Sequence, residues 1–211
     1  MKISKKVLLG TAAAIVAGLV ITGCATAISD QQASQIALTQ LKDSFKERGQ
    51  AKMDRLDQDE VQKLCSYGPG QPPAKSALEA LEKSQLSQVK YPADGKLLGD
   101  WRAGERIAQS GVGKQYSDNP TAPSGANCYA CHQLTPQEIS FGTIGPPLLG
   151  YGKLRGNSEA IQKYTYGKIY NSNAYSACSN MPRFGHQGIL TEQQLKDVTA
   201  LLLDPESPVN K

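Results

Sequence analysis

Two thiols and an imidazole stand together in the run Asn127-Cys128-Tyr129-Ala130-Cys131-His132. A C-x-x-C-H run is the attachment signature of a c-type haem. The chemistry demands that spacing. Two thiols must reach the two vinyl groups of one porphyrin, and the next residue must offer its imidazole to the iron from the same face. Two other chemistries use paired cysteines. A tetrahedral zinc site needs four Cys or His ligands, commonly with a second close pair, but the only other histidine is His186, and Cys65 and Cys178 lie far apart. A thioredoxin-like dithiol belongs to a βαβ setting, and no such pattern surrounds the run. The motif therefore predicts one covalent haem c, attached through Cys128 and Cys131, with His132 as an axial iron ligand.

The other axial ligand must come from elsewhere in the chain. Met181 lies 49 residues beyond His132, in Cys178-Ser179-Asn180-Met181-Pro182-Arg183-Phe184-Gly185-His186. A Pro- and Gly-bounded loop without helical or strand periodicity is an odd place for a core methionine and a suitable one for a thioether ligand. His/Met coordination is an established haem arrangement that raises the reduction potential. His186 is the rival sixth ligand, and Met53, with no haem motif nearby, reads as packing or surface. A ligating histidine needs its second nitrogen held by an acceptor. The carbonyl of Pro146, in the stiff apolar loop 142–152, is the candidate. A six-coordinate iron offers substrate no position, so no catalytic residue is expected on this chain.

The elements that must position these groups read as helices. Asp30 could cap a first helix with Ile36, Leu41 and Phe45 on its apolar face. A second runs through Asp59 to Cys65, and a third from Pro73 to about Val89, the two separated by the breaker cluster 67–73. After Asp100, the stripe Trp101, Gly104, Ile107 and Ala108 predicts a fourth helix, in which Gly104 calls for close approach of a neighbour. Asn157 or Ser158 can cap a helix bearing Ile161, Tyr164 and Thr165. Tyr151, Tyr164, Tyr166, Tyr170 and Tyr175 crowd this half, as packing residues or as a pocket rim reaching the haem propionates. The last helix is the best marked. Thr191-Glu192-Gln193-Gln194 is a capping box, Leu195, Val198 and Leu201/Leu202 form the buried stripe, and Asp204-Pro205 ends it. Residues 99–211 thus make an all-α unit around the haem, with residues 24–98 as an N-terminal helical extension.

Residues 1–23 read as an export signal: Lys2, Lys5 and Lys6, then an apolar run from Val7 to Ile21 that is short for a membrane span. Ile21-Thr22-Gly23-Cys24 looks like a bacterial lipoprotein box with Cys24 lipidated, a possible membrane tether. Ala25-Thr26-Ala27 also fits ordinary signal peptidase, releasing a chain that begins at Ile28. The lipoprotein is narrowly preferred, and both readings place the mature protein in the periplasm. In that oxidising compartment Cys65 and Cys178 are left over, as a disulfide or as two buried free thiols. Without the signal, 20 basic side chains face 19 acidic ones, a net +1. No basic cluster stands out, so nucleic acid is excluded as a partner.

These residues resemble class I cytochromes c: Gly104 in a first helix, the Cys128–His132 run, Gly145-Pro146-Pro147-Leu148, a later loop methionine and a terminal helix. More particularly, residues 127–134 and 142–146, Tyr151-Gly152-Lys153-Leu154-Arg155-Gly156, Met181-Pro182-Arg183-Phe184-Gly185 and residues 203–210 resemble the SoxX family. SoxX is the monohaem cytochrome c subunit of SoxAX complexes in bacterial sulfur oxidation, and the resemblance covers most of residues 99–211. It implies a SoxA-type partner cytochrome that joins thiosulfate oxidatively to a cysteine of the SoxYZ carrier, and a small cytochrome c as electron acceptor. Cys128 and Cys131 would then hold the haem, with His132 and Met181 as its axial ligands. The chain itself would be the redox subunit of a two-subunit L-cysteine S-thiosulfotransferase. A stand-alone electron carrier and a gas-sensing haem protein are the alternatives from other classes.

Overall fold

The structure, a computed structural model, describes residues 28–211. The export signal and the lipid site at Cys24 lie outside these residues. No described helix is long and apolar enough to cross a membrane. The described chain holds seven α-helices, a few 3-10 turns and no extended strand. The first, α1 (Asp30–Ser44), belongs to a separate compact unit that ends at Phe45. Its cap is Ser29 rather than the expected Asp30. The Ser29 side chain accepts from the Gln32 N–H, and the Gln32 side chain returns to the Ser29 backbone, so this reciprocal pair starts the helix one residue sooner. The expected apolar face stays uncovered, with Ile36 and Leu41 about half exposed.

Residues 46–211 form the second unit. Its frame is α4 (Trp101–Gln109) crossed on α7 (Glu192–Leu203), the most extensive helix contact in the chain. Gly104 is what lets them meet. A Cβ there would lie 2.2 Å from the Asp197 carbonyl oxygen and 3.0 Å from the Leu201 Cβ. The close approach offsets the roughly 1 kcal/mol that glycine costs a helix interior. Asp197 then clasps the α4 entry, accepting from the Asp100 N–H at 2.9 Å. The foreseen stripe of α7 is buried, Leu195, Val198 and Leu201 at 3% exposure or less. Full burial of each such side chain is worth about 1.5–3 kcal/mol. Thr191 forms the expected capping box with Gln194.

Around this cross pack α5 (Tyr151–Arg155) and α6 (Glu159–Tyr170), the latter capped by Ser158. Tyr166 and Tyr170 are buried, and Tyr151 Oη meets Thr165 Oγ1 at 3.0 Å. From the extension, α2 (Glu60–Cys65) and α3 (Lys75–Ser87) pack onto residues 171–178. Val61, Leu81 and Ala177 make a satellite apolar cluster there, flanked by Leu64, Leu78, Cys65 and Cys178. Cys65 and Cys178 are disulfide-bonded. Glu82 accepts from the Ala177 N–H at 2.9 Å, and Asn171 Nδ2 donates to Gln85 Oε1 at 3.0 Å. Residues 46–98 are therefore continuous with the haem-motif half in one compact unit.

Candidate functional site

The haem-attachment run folds into one tight turn. Asn127 takes the left-handed conformation (φ 46°), and Cys128–Ala130 is a single 3-10 turn. The N–H groups of Cys131 and His132 both donate to the Cys128 carbonyl, at 3.1 and 2.9 Å. Tyr129, buried inside the turn, anchors it to the core. The 142–148 loop is then laced alongside. The Gly142 N–H donates to the Tyr129 carbonyl, Gly145 to Cys131 and Leu148 to Gln133, all at 2.7–2.8 Å.

That lacing decides the state of His132. It puts the Pro146 carbonyl 2.7 Å from His132 Nδ1, as the sequence had suggested. A carbonyl oxygen can only accept, so Nδ1 is the donor, and in the neutral ring Nε2 then keeps the lone pair a metal needs. Gly145 closes on the ring: a Cβ there would fall 2.1–2.7 Å from three imidazole atoms. Only glycine permits a loop this close, and the loop in turn fixes the ring.

The cysteine chemistry separates two pairs. Cys65 and Cys178 are oxidised to each other, whereas Cys128 and Cys131 are unpaired. Burial pushes the Cys128 thiol up to about 12. The residue keeps some solvent exposure as a whole, but it lies against the main apolar cluster. A working redox dithiol depends on a lowered thiol pKa, so this environment opposes the dithiol reading. The zinc alternative also lacks ligands: no group of three or more His, Cys, Asp or Glu side chains suited to a metal ion occurs among the described residues.

Met181 is half-buried and packs against the same main cluster as Cys128 and Leu148. Its carbonyl accepts from Ser172 Oγ, and its N–H donates to Ser179 Oγ at 3.2 Å. The rival, His186, is half-buried, with its backbone N–H on the Tyr170 carbonyl at 3.0 Å. Burial, with the nearby Arg183 charge adding to it, holds the His186 imidazole below its usual pKa. Arg183 itself is neither at a solvated face nor free for a partner. It is buried and paired with Asp59, the N-cap of α2. Burial alone would raise the Asp59 carboxyl, but the Gln62 N–H and the Arg183 guanidinium outweigh it and hold the group below its usual range. Sequence reading missed this pair because 124 residues separate its members. An open cleft of about 490 Å³ between Trp101, Asp204 and Lys211 contains none of these groups.

Residues 112–204 match the family model for cytochrome c. These residues form a cytochrome c family domain. Over 205 residues it is also 38% identical to a protein of Aquifex aeolicus (strain VF5) named an uncharacterized lipoprotein, with 92% of this chain and 94% of that one covered. Cytochrome c membership means an all-α fold of the class I type, a covalently bound haem c and haem-based electron transfer. The residues present fit that group. Two unpaired thiols and a proton-committed imidazole share one turn, and a thioether borders the same apolar cluster.

Proposed function

We propose that this cytochrome c domain is the electron-transfer subunit of a periplasmic complex of the SoxAX type. Its SoxA-like partner would couple thiosulfate to a carrier cysteine. The single observation that supports the electron-transfer role is the His132 Nδ1–Pro146 bond, which leaves Nε2 available to ligate iron. Cys128 and Cys131 would hold the haem as thioethers, and Met181 would close its other side. Haem c, when bound, supplies reversible one-electron chemistry. The polypeptide does the rest. Pro146 and Gly145 fix the imidazole, and the main apolar cluster backs Cys128 and Met181.

The partner assignment draws on the run Met181-Pro182-Arg183-Phe184-Gly185 and the other stretches that resemble SoxX. Its test is thiosulfate-dependent haem reduction. Reduction that requires a co-purified second cytochrome and a carrier with a free cysteine supports the assignment, and reduction by thiosulfate without any partner contradicts it. A stand-alone carrier is the second reading, and one observation favours it. The apolar faces of α2 and α3 are spent on the chain's own residues 171–178, so the extension does not by itself call for a partner. The name of the Aquifex relative supports lipidation at Cys24, which the intact mass of the mature protein would report.

A further inference from the structure

The segment that carries Met181 is tied down on both sides by one short helix. Three residues before Met181, Cys178 is bonded to Cys65, the last residue of α2. Two residues after it, the buried guanidinium of Arg183 pairs with the carboxylate of Asp59. Asp59 is the N-cap of the same helix, and its other oxygen takes the Gln62 N–H at 2.9 Å. The two anchors thus sit at opposite ends of a rigid element of six residues, about 9 Å long at the usual helical rise. Two anchors on one rigid body fix both ends of the segment relative to each other, which neither could do alone. From the neighbouring helix, Glu82 holds the Ala177 N–H, and Leu81 fills the space beneath. The Met181 side chain is left to pack on the main cluster, as Cys128 does, rather than on the satellite one.

We propose that Asp59 and Cys65 are positioning residues for the haem, acting through the Met181 segment. Helix α2 is a brace that pre-organises the thioether and resists its replacement by an outside ligand. This inference rests on Met181 being the sixth iron ligand. A segment ordered before ligation loses little conformational freedom on binding iron, whereas a loosened one must be ordered each time, so its sulfur competes less well.

The experiment is an imidazole titration of the ferric holoprotein. It is followed through the weak far-red charge-transfer band of methionine-ligated ferric haem. Asp59→Ser keeps a capping hydroxyl for α2 but removes the partner of Arg183. Cys65→Ser with Cys178→Ser removes the other anchor. Each change is expected to raise imidazole affinity on the order of tenfold and to weaken the band, with far-UV circular dichroism unchanged. Asp59→Glu, which restores a carboxylate, is expected to return affinity toward the wild-type value. Should the cysteine variant fail to fold, Asp59→Ser decides alone. A wild-type band with wild-type imidazole affinity in the folded variants would overturn the brace and leave Met181 ligation standing. A wild-type protein with no far-red band would remove Met181 ligation itself, and the brace with it.

Discussion

Replacing Cys128 and Cys131 together with alanine is expected to abolish covalent haem. Haem staining after denaturing electrophoresis should fall from one equivalent per chain to background. Each thiol can form only one thioether, so either single variant should keep a weaker, singly attached haem. Among the described residues the other two cysteines cannot substitute, because Cys65 and Cys178 are bonded to each other. The loss should reach the fold as well. Apolar residues make up 39% of the chain, with only three phenylalanines, and Cys128, Leu148 and Met181 border the main cluster half-buried. A bound porphyrin adds apolar surface at that border, and a group that binds only the folded chain stabilises it by mass action. Helicity lost with the haem would follow from this account. Haem still attached after denaturation of the double variant would refute the assignment of both cysteines.

Removing the Cys65–Cys178 bond by paired serine substitution should be the most damaging change away from the haem itself. The bond closes a separation of 113 residues. In the chain-entropy treatment, a loop of that order takes about 4–5 kcal/mol of freedom from the unfolded state. For a domain of this size the melting temperature of the holoprotein should fall by about 10–15 °C. The bond also joins α2 to the segment below Met181, through the cluster of Val61, Leu81 and Ala177. A shift of only a degree or two would mean that the α3 contacts, Glu82 to Ala177 and Gln85 to Asn171, hold the extension in place without it.

Much of this architecture is local physics, and that part was legible in the chain. The Thr191–Gln194 capping box, the α7 stripe and the demand of Gly104 for a close neighbour each depend on residues a few positions apart or on one missing Cβ. The Pro146 acceptor for His132 could be foreseen because an exposed loop carbonyl next to a haem motif has few other uses. What stayed hidden was long-range or finely balanced. The Arg183–Asp59 pair could not be read because nothing in the sequence around Arg183 names a partner 124 residues away. The cap of α1 fell to Ser29 because two adjacent residues can both cap, and only Ser29 has Gln32 three positions on. Helix α5 was not foreseen, and its first two residues fell in the loop drawn over 142–152, since five residues framed by Gly150 and Gly156 in positive-φ conformations leave no periodicity to detect. The apolar side chains of α1 suggested a buried face, yet in the structure they remain exposed.

The central claim is that His132 and Met181 close the iron from opposite sides and leave it an electron carrier. The visible spectrum of the oxidised mature protein, recorded beside Met181→Ala, tests this most directly. The account predicts a far-red band in the wild type that vanishes in the variant. The variant's reduction potential should fall by something on the order of 0.1–0.3 V, a fraction of the ~0.8 V that axial ligands span across haem proteins. A spectrum and potential left unchanged by Met181→Ala would contradict it and turn attention to His186 as the sixth ligand.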